Sequence, residues 1–408
     1  MSLNSTPSGN RIHISFFGRR NAGKSSVINA VTGQNLSVVS DTKGTTTDPV
    51  YKTMELLPLG PVMMIDTPGM DDKGDLGKLR VQKTKAVLRK TDIAVWVIDS
   101  TVGLEESEKE WIALLKERNV SVLIVWNKMD LVSEKPMFDS EIPQVFVSAS
   151  CRQGIEELKD TLARFALVEK KEQPLVADLV KPLDTVILVV PIDDSAPKGR
   201  LILPQQQVIR ELLEVGAVSI VVKDTEYKEL LDTMKDRPKL VITDSQVFEQ
   251  VSKNTSESIP LTSFSILMAR KKGFLKIASE GVRVLDEIGD GDKILIAEGC
   301  THHRQCEDIG TVKLPNWIRK YTQAEPEFVF SSGVEFPEDL SAYKLVIHCG
   351  GCMLNEREMH YRMQWAKEQN IPFTNYGIAI AHMNHILERS LHALDKHEDS
   401  YCSLATDI

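Results

Sequence analysis

Gly18-Arg19-Arg20-Asn21-Ala22-Gly23-Lys24-Ser25 reads G-x-x-x-x-G-K-S. Glycines at both ends let backbone N–H groups wrap a phosphate without side-chain clash. Lys24 then reaches the β- and γ-phosphates, and the Ser25 hydroxyl is a Mg²⁺ ligand. Three further strings follow in the order such a site needs. Asp66-Thr67-Pro68-Gly69 sets Asp66 toward the Mg²⁺ through water and the Gly69 N–H toward the γ-phosphate. Asn127-Lys128-Met129-Asp130 supplies a carboxylate, Asp130, that accepts from both guanine N1–H and N2–H₂. Adenine cannot supply both donors, so the base is guanine. Ser148-Ala149-Ser150 offers a backbone N–H to guanine O6. Gly44-Thr45-Thr46-Thr47-Asp48 supplies a second hydroxyl for Mg²⁺, assigned to Thr46 with Thr45 as the alternative. The groups expected to act on the transferring phosphoryl are Lys24, Ser25, Thr46 and Gly69. The residue after Asp-x-x-Gly is Met70, where a Ras-like enzyme carries a water-orienting glutamine.

A second constellation lies in the last third: Cys300-Thr301-His302, then His348-Cys349-Gly350-Gly351-Cys352. Two glycines let the C-x-x-C loop bend until both thiolates meet one metal centre. Three thiolates with nearby imidazoles suit structural Zn²⁺ as Cys₃His, or a 4Fe–4S cluster with one exchangeable position. Residue chemistry leaves both open. His302, His303, His348, Glu307, Asp308 and water are the choices for a fourth position, and Cys306 could close a Cys₄ shell.

The elements that must position these groups are α/β throughout. Arg11–Phe17 reads as a strand feeding the phosphate loop, and Ser26–Val31 as the helix after it. Ser26 thus joins the nucleotide contacts. Strands at Val62–Ile65, Val122–Trp126 and Val145–Val147 precede the other three strings, so the crevice belongs at their carboxyl ends. Two seams, Val168–Pro182 and Lys253–Leu261, read as linkers or exposed loops. Between them strands at Thr185–Ile192, Val218–Val222 and Leu240–Thr243 alternate with helices at Gln205–Glu214 and Glu226–Met234. Beyond them, strands at Lys293–Ala297 and Lys344–His348 and helices at Glu356–Asn370 and Ile378–Leu391 give another parallel unit. If those two strands are neighbours, Cys300, Cys349 and Cys352 meet at their ends. The expectation is a P-loop GTPase domain over residues 11–170, an α/β dimerisation domain over 178–262, and a cluster-binding α/β domain over 263–400.

The net charge of −9 argues against nucleic acid as the main partner. The run Arg270-Lys271-Lys272 reads as a solvated face. No apolar run has membrane length, and the polar N-terminus reads as no secretory signal, so the expected place is the cytoplasm and no membrane is a partner. Of the six cysteines, Cys151 and Cys402 stand alone, and the other four, clustered with histidines, suit metal binding better than disulfides.

At Asn21-Ala22-Gly23-Lys24-Ser25-Ser26 the first domain resembles the tRNA-modification (TrmE) and Era GTPases. Their potassium-dependent members use that asparagine as a K⁺ ligand. The resemblance implies slow, K⁺-stimulated hydrolysis, although Thr47 stands where that group usually has arginine. With C-T-H and H-C-G-G-C behind a middle α/β domain, nearly the whole chain resembles the HydF family, the maturation GTPases of FeFe-hydrogenase. The resemblance implies a homodimer and a 4Fe–4S cluster on Cys300, Cys349 and Cys352, with His302 and His348 beside it. It also implies a scaffold and carrier role toward the hydrogenase apoprotein, alongside the radical-SAM maturases. An RNA-directed or ribosome-associated GTPase of the TrmE/Era type, and a GTPase with a structural zinc domain, are the alternatives.

Overall fold

The computed structural model describes residues 8–33, 48–57, 59–69, 84, 86–136, 138, 141–168, 173–192, 201–299, 308–333 and 335–395. The chain divides into two compact units, Met1–Lys171 with Asn355–Glu358, and Glu172–Leu354 with Met359–Ile408.

The first unit is built on six strands: β1 (Ile12–Phe17), β2 (Val50–Leu56), β3 (Gly60–Asp66), β4 (Ile93–Asp99), β5 (Ser121–Asn127) and β6 (Gln144–Phe146). Their order is β2-β3-β1-β4-β5-β6, and only β2 runs antiparallel to its neighbour. The parallel strands are nearly continuous apolar runs, such as Ile93-Ala94-Val95-Trp96-Val97-Ile98, because both faces are covered. The edge strand β2 (VYKTMEL) alternates exposed and half-buried residues, as a one-sided strand does. Helices α1 (Lys24–Thr32), α2 (Glu106–Glu117) and α3 (Ile155–Val168) follow β1, β4 and β6.

The second unit holds two four-stranded sheets, parallel throughout. One is β10-β9-β7-β8, from β7 (Thr185–Val189), β8 (Val218–Val222), β9 (Leu240–Thr243) and β10 (Leu261–Ser263). The other is β12-β11-β13-β14, from β11 (Lys293–Glu298), β12 (Glu327–Ser332), β13 (Leu345–His348) and β14 (Phe373–Asn375). The helices are α4 (Leu203–Val215), α5 (Tyr227–Thr233), α6 (Phe248–Asn254), α7 (Phe264–Lys271), α8 (Leu275–Gly281), α9 (Leu314–Thr322), α10 (Glu356–Glu368), α11 (Tyr376–Met383) and α12 (Leu387–Asp395). A single hydrophobic core runs through both sheets, from Leu175 to Leu394.

These are the α/β domains with parallel sheets that the alternating pattern implies. Two details differ. Neither seam is an exposed loop throughout its described residues, and only the first, at Lys171–Glu172, marks a boundary between the compact units. Leu175 and Val176 are fully buried, and the N–H groups of Leu175, Val176 and Ala177 donate to the Glu211 carboxylate on α4 at 2.9–3.1 Å. The second seam begins in α6 and ends in buried β10. The helix expected over Ile378–Leu391 breaks into α11 and α12 at His385, whose φ is +58°. Polar composition hid the first seam because the carboxylate that satisfies its backbone, Glu211, lies far along the chain. Strand β8 is a sheet edge, and Val218 and Val221 are nearly half exposed there. No helix among the described residues is long and apolar enough to cross a membrane.

Candidate functional site

The phosphate loop leaves the carboxyl end of β1, which lies between β3 and β4. The strand order reverses there, and such a reversal opens a crevice. Gly18 has φ +136° and lies so close to the Val97 carbonyl that a Cβ would overlap it. Gly23, with φ +90°, stands at the N-cap of α1 against the Asn127 side chain. Both positions therefore need glycine. Asn21, on the loop between them, also has positive φ (+61°), which asparagine tolerates better than most residues. Lys24 is buried, and its Nζ donates to the Gly18 and Arg19 carbonyls at 3.0 and 2.8 Å. The ammonium thus sits inside the loop that carries it. The Ser25 hydroxyl donates to Asp66 Oδ2 at 2.6 Å, so the two expected Mg²⁺-side groups are adjacent. Thr67 Oγ1 donates to the Phe16 carbonyl at 2.6 Å and ties the end of β3 to the end of β1. A Cβ on Gly69 would come within 2.9 Å of the Arg20 backbone, which puts the Asp-x-x-Gly segment against the phosphate loop. Thr45, Thr46 and Met70 lie outside the described residues.

The base end forms at β5 and β6. Asn127 ends β5 and is buried. Its Nδ2 donates to the Ala22 carbonyl at 2.9 Å, and its Oδ1 accepts from the Ala149 N–H at 3.1 Å. One amide therefore fastens the base loop to the phosphate loop. Lys128 (φ +65°) turns its ammonium onto Asp99 Oδ2 at 2.5 Å. Burial would raise the Asp99 carboxyl pKa, but hydrogen bonds from Lys128 and Thr101 outweigh it and hold the group below the usual range. Ser148 Oγ donates to Asp130 Oδ1 at 2.6 Å, which aims the carboxylate expected to read guanine. Ser26 lies on the first turn of α1.

The second constellation lies in the other unit, at the matching place in its sheet. There β11 is flanked by β12 and β13, so the order again reverses at its carboxyl end. Ala297 pairs with His348, and the Cys349 N–H donates to the Ala297 carbonyl at 2.9 Å. Cys349 thus begins its loop at the crevice, beside Gly299, the last described residue after β11. Cys349 Sγ accepts N–H groups from Gly299 at 3.1 Å and Gly351 at 3.4 Å. Gly351 has φ +59°, and a Cβ there would lie 2.5 Å from Met359 Sδ. Without a metal, burial pushes the Cys349 thiol up to about 11, against the N–H from Gly299. Burial likewise raises Cys352, with the Lys272 charge pulling the other way.

His348 is fully buried. Its Nδ1 lies 2.7 Å from the Cys349 carbonyl and its Nε2 3.0 Å from Arg362 Nη1. Those partners fix the tautomer: Nδ1–H donates and Nε2 accepts. Burial, reinforced by Arg362, lowers its pKa to about 3 and keeps the ring neutral. Both nitrogens are engaged, so as folded His348 has no lone pair for a metal. It holds the Cys349 carbonyl instead. Cys300, His302, His303, Cys306 and Glu307 lie outside the described residues, and among the described residues no group of three or more His, Cys, Asp or Glu could hold a metal. The second thiol of the C-x-x-C, the left-handed glycine and the N–H groups on sulfur nevertheless fit a thiolate-bound centre, since such hydrogen bonds stabilise bound sulfur.

The run Arg270-Lys271-Lys272 is not a solvated face. Arg270 pairs with Asp178, with Nη1 to Oδ1 at 2.9 Å, and Lys272 is buried under the C-x-x-C loop. Neither Lys272 nor Arg362 carries a local sequence signal, because each acts on a loop far away in the chain.

Residues 13–128 match the family model of the 50S ribosome-binding GTPase. Residues 175–273 match the hydrogen maturase F dimerization domain, and 276–393 its tetramerization domain. Among curated relatives, GTPase Der of Kosmotoga olearia is 33% identical over 189 residues, 42% of this chain and 42% of its own. The tRNA modification GTPase MnmE of Janthinobacterium sp. (strain Marseille) is 30% identical over 38% of this chain and 34% of its own. The chain thus spans less than half the length of these relatives. Among solved structures, Era of Aquifex aeolicus bound to GDP·AlF₄⁻ is 20% identical over 55% of this chain and 98% of its own, with a TM-score of 0.34. The G domain of the T. maritima FeoB iron transporter is 23% identical over 38% and 99%, with a TM-score of 0.31. A GTPase domain followed in order by both hydrogen maturase F domains means that this chain belongs to the hydrogen maturase F (HydF) family.

Proposed function

We propose that this chain is a Mg²⁺-dependent GTPase that scaffolds and carries a metal cluster in hydrogenase maturation. The observation that carries the nucleotide half is the Asn127 amide, which joins the phosphate loop to the base loop. Lys24 and the loop N–H groups neutralise charge on the transferring phosphoryl group, and Ser25, Asp66 and Thr46 hold Mg²⁺. Gly69 senses the γ-phosphate, and Asp130 reads guanine. Asn21 takes K⁺, which supplies charge that an arginine finger supplies elsewhere. With Met70 in the glutamine position, hydrolysis is slow.

In the second unit Cys300, Cys349 and Cys352 hold a 4Fe–4S cluster with one exchangeable position. When bound, that cluster offers an open iron to which a further fragment can bridge. The chain's own part is to present the sulfurs: Gly299 and Gly351 donate N–H groups to Cys349, and Arg362 and His348 fix the loop that follows β13. Residues 11–170, 178–262 and 263–400 divide the work into nucleotide binding, dimerisation and cluster binding. Partners are a second copy, the hydrogenase apoprotein and the radical-SAM maturases.

Anaerobic purification tests the cluster half. A brown protein with about four irons and four sulfides per chain is expected, and Cys349→Ser or Cys352→Ser should be colourless yet hydrolyse GTP at the parental rate. A colourless wild-type protein holding one zinc sinks the cluster assignment and leaves the GTPase standing.

A further inference from the structure

We propose that Lys272 is a positioning residue of the C-x-x-C loop: a buried ammonium that clamps the two carbonyls bracketing Cys352 and favours negative charge on the sulfurs and on what they bind. The proposal rests on the cluster reading above.

Lys272 follows α7 and has its own backbone pinned. Its N–H donates to the Met268 carbonyl at 3.1 Å, and its carbonyl accepts from His360 Nε2 at 2.8 Å. The next residue, Gly273, turns away at φ +70°. From that fixed base Nζ donates to the Gly351 carbonyl and, at 2.7 Å, to the Leu354 carbonyl. One of these carbonyls precedes Cys352 and the other follows it by two residues. The same Gly351 sends its N–H to Cys349 Sγ. Lys272 therefore touches one end of a peptide chain of contacts whose other end is a candidate ligand sulfur. Lys272 is only 6% exposed, so water screens the charge weakly.

A lysine here does two separable things. Its hydrogen bonds hold the left-handed turn at Gly351 that lets the two sulfurs converge. Its charge is one that a purely structural donor lacks. The reduced form of an anionic cluster is the more negative, so a buried cation nearby favours reduction, and charge is among the levers that set such potentials. Arg270, two residues away, serves a different purpose, because it pairs with Asp178.

The test uses the full chain, reconstituted anaerobically with iron and sulfide, as wild type, Lys272→Arg and Lys272→Gln. Glutamine keeps a donor and loses the charge, and arginine keeps both. Circular dichroism melting verifies that each variant is folded. The midpoint potential is read by electron-spin resonance during a redox titration, and cluster retention by the rate of iron release to a chelator. Expected: Lys272→Arg stays near wild type, while in Lys272→Gln the reduction equilibrium falls about tenfold, which is about 59 mV for a one-electron couple. Iron release should be several-fold faster in Lys272→Gln than in Lys272→Arg. A glutamine variant with wild-type potential and wild-type release overturns the assignment while the cluster reading stands. A wild-type chain that takes up no cluster overturns both.

Discussion

Asn127 is the residue whose removal most sharply tests the nucleotide site. Its amide makes two hydrogen bonds, a buried one to the Ala22 carbonyl at 2.9 Å and a partly buried one from the Ala149 N–H at 3.1 Å. Each contributes about 0.5–1.5 kcal/mol net, and a buried partner left unpaired costs roughly 1–3 kcal/mol. Asn127→Ala orphans both partners, so a loss of roughly 2–4 kcal/mol is expected. For a domain of this size about 2–4 °C of melting temperature goes with each kcal/mol, which predicts a fall of roughly 5–15 °C. Affinity for a fluorescent GDP analogue should drop as well, because the two loops no longer share a tie. Asn127→Asp is the informative companion. It keeps an acceptor for Ala149 but sets a buried carboxylate against the Ala22 carbonyl, so it should cost at least as much as alanine. Calorimetry on the full chain resolves the first transition with and without nucleotide. If Asn127→Ala melts within about 0.5 kcal/mol of wild type, or aspartate costs less than alanine, the tie does not hold the loops together.

Lys24→Ala or Ser25→Ala should abolish GTP turnover in a phosphate-release assay, and wild-type turnover should be faster in K⁺ than in Na⁺; equal rates remove the role given to Asn21. Gly351→Ala meets both a left-handed backbone and Met359 Sδ at 2.5 Å, so it should cost about 1–3 kcal/mol and reduce iron uptake, a result that wild-type iron content would refute. Val221→Lys places a charge on the exposed edge β8 and should turn a dimer into a monomer by light scattering. Burial would raise the Asp286 carboxyl pKa, but hydrogen bonds from Tyr321 and His382 bring it below the usual range. A depressed carboxylate lends stability above its unfolded pKa, near 3.9, that is lost as pH falls through the lower folded value. Asp286→Asn should therefore flatten the acid limb of the melting profile, and an unchanged limb would show that other groups set it.

Four strings of the nucleotide site were legible because each follows an apolar strand, β1, β3, β5 or β6, and these strands run parallel, so their carboxyl ends lie on one side of the sheet. The parallel sheets were legible for the same reason. What stayed hidden depends on separation in the chain. Glu211 caps a segment 34 to 36 residues away, and polar composition made that segment look like a linker. Lys272 sits in a basic run that reads as surface until the loop 79 residues on folds over it. His348 stands beside Cys349 in the sequence like a metal neighbour, but its ring is oriented by the Cys349 carbonyl and by Arg362, fourteen residues along. Strands β12 and β14 lack the long apolar runs that announced β11 and β13, β12 being half exposed and β14 only three residues long.

The register of β11 against β13 has a thermodynamic consequence. Ile294 to Ala297 pair with Leu345 to His348, and all eight residues are buried. In domains that fold only around their ion, affinity and folding are one quantity, and removing the ion unfolds the chain. Here the strand end that delivers Cys349 is held by backbone pairing between β11 and β13, bonds that pass through no ligand atom. The free energy of binding is then left to the ligand, and little of it is spent on ordering this strand pair. Loading and release become reversible events on a standing scaffold, so a chelated protein should melt in its second transition close to where the loaded one does, offset only by the mass-action term for bound ligand.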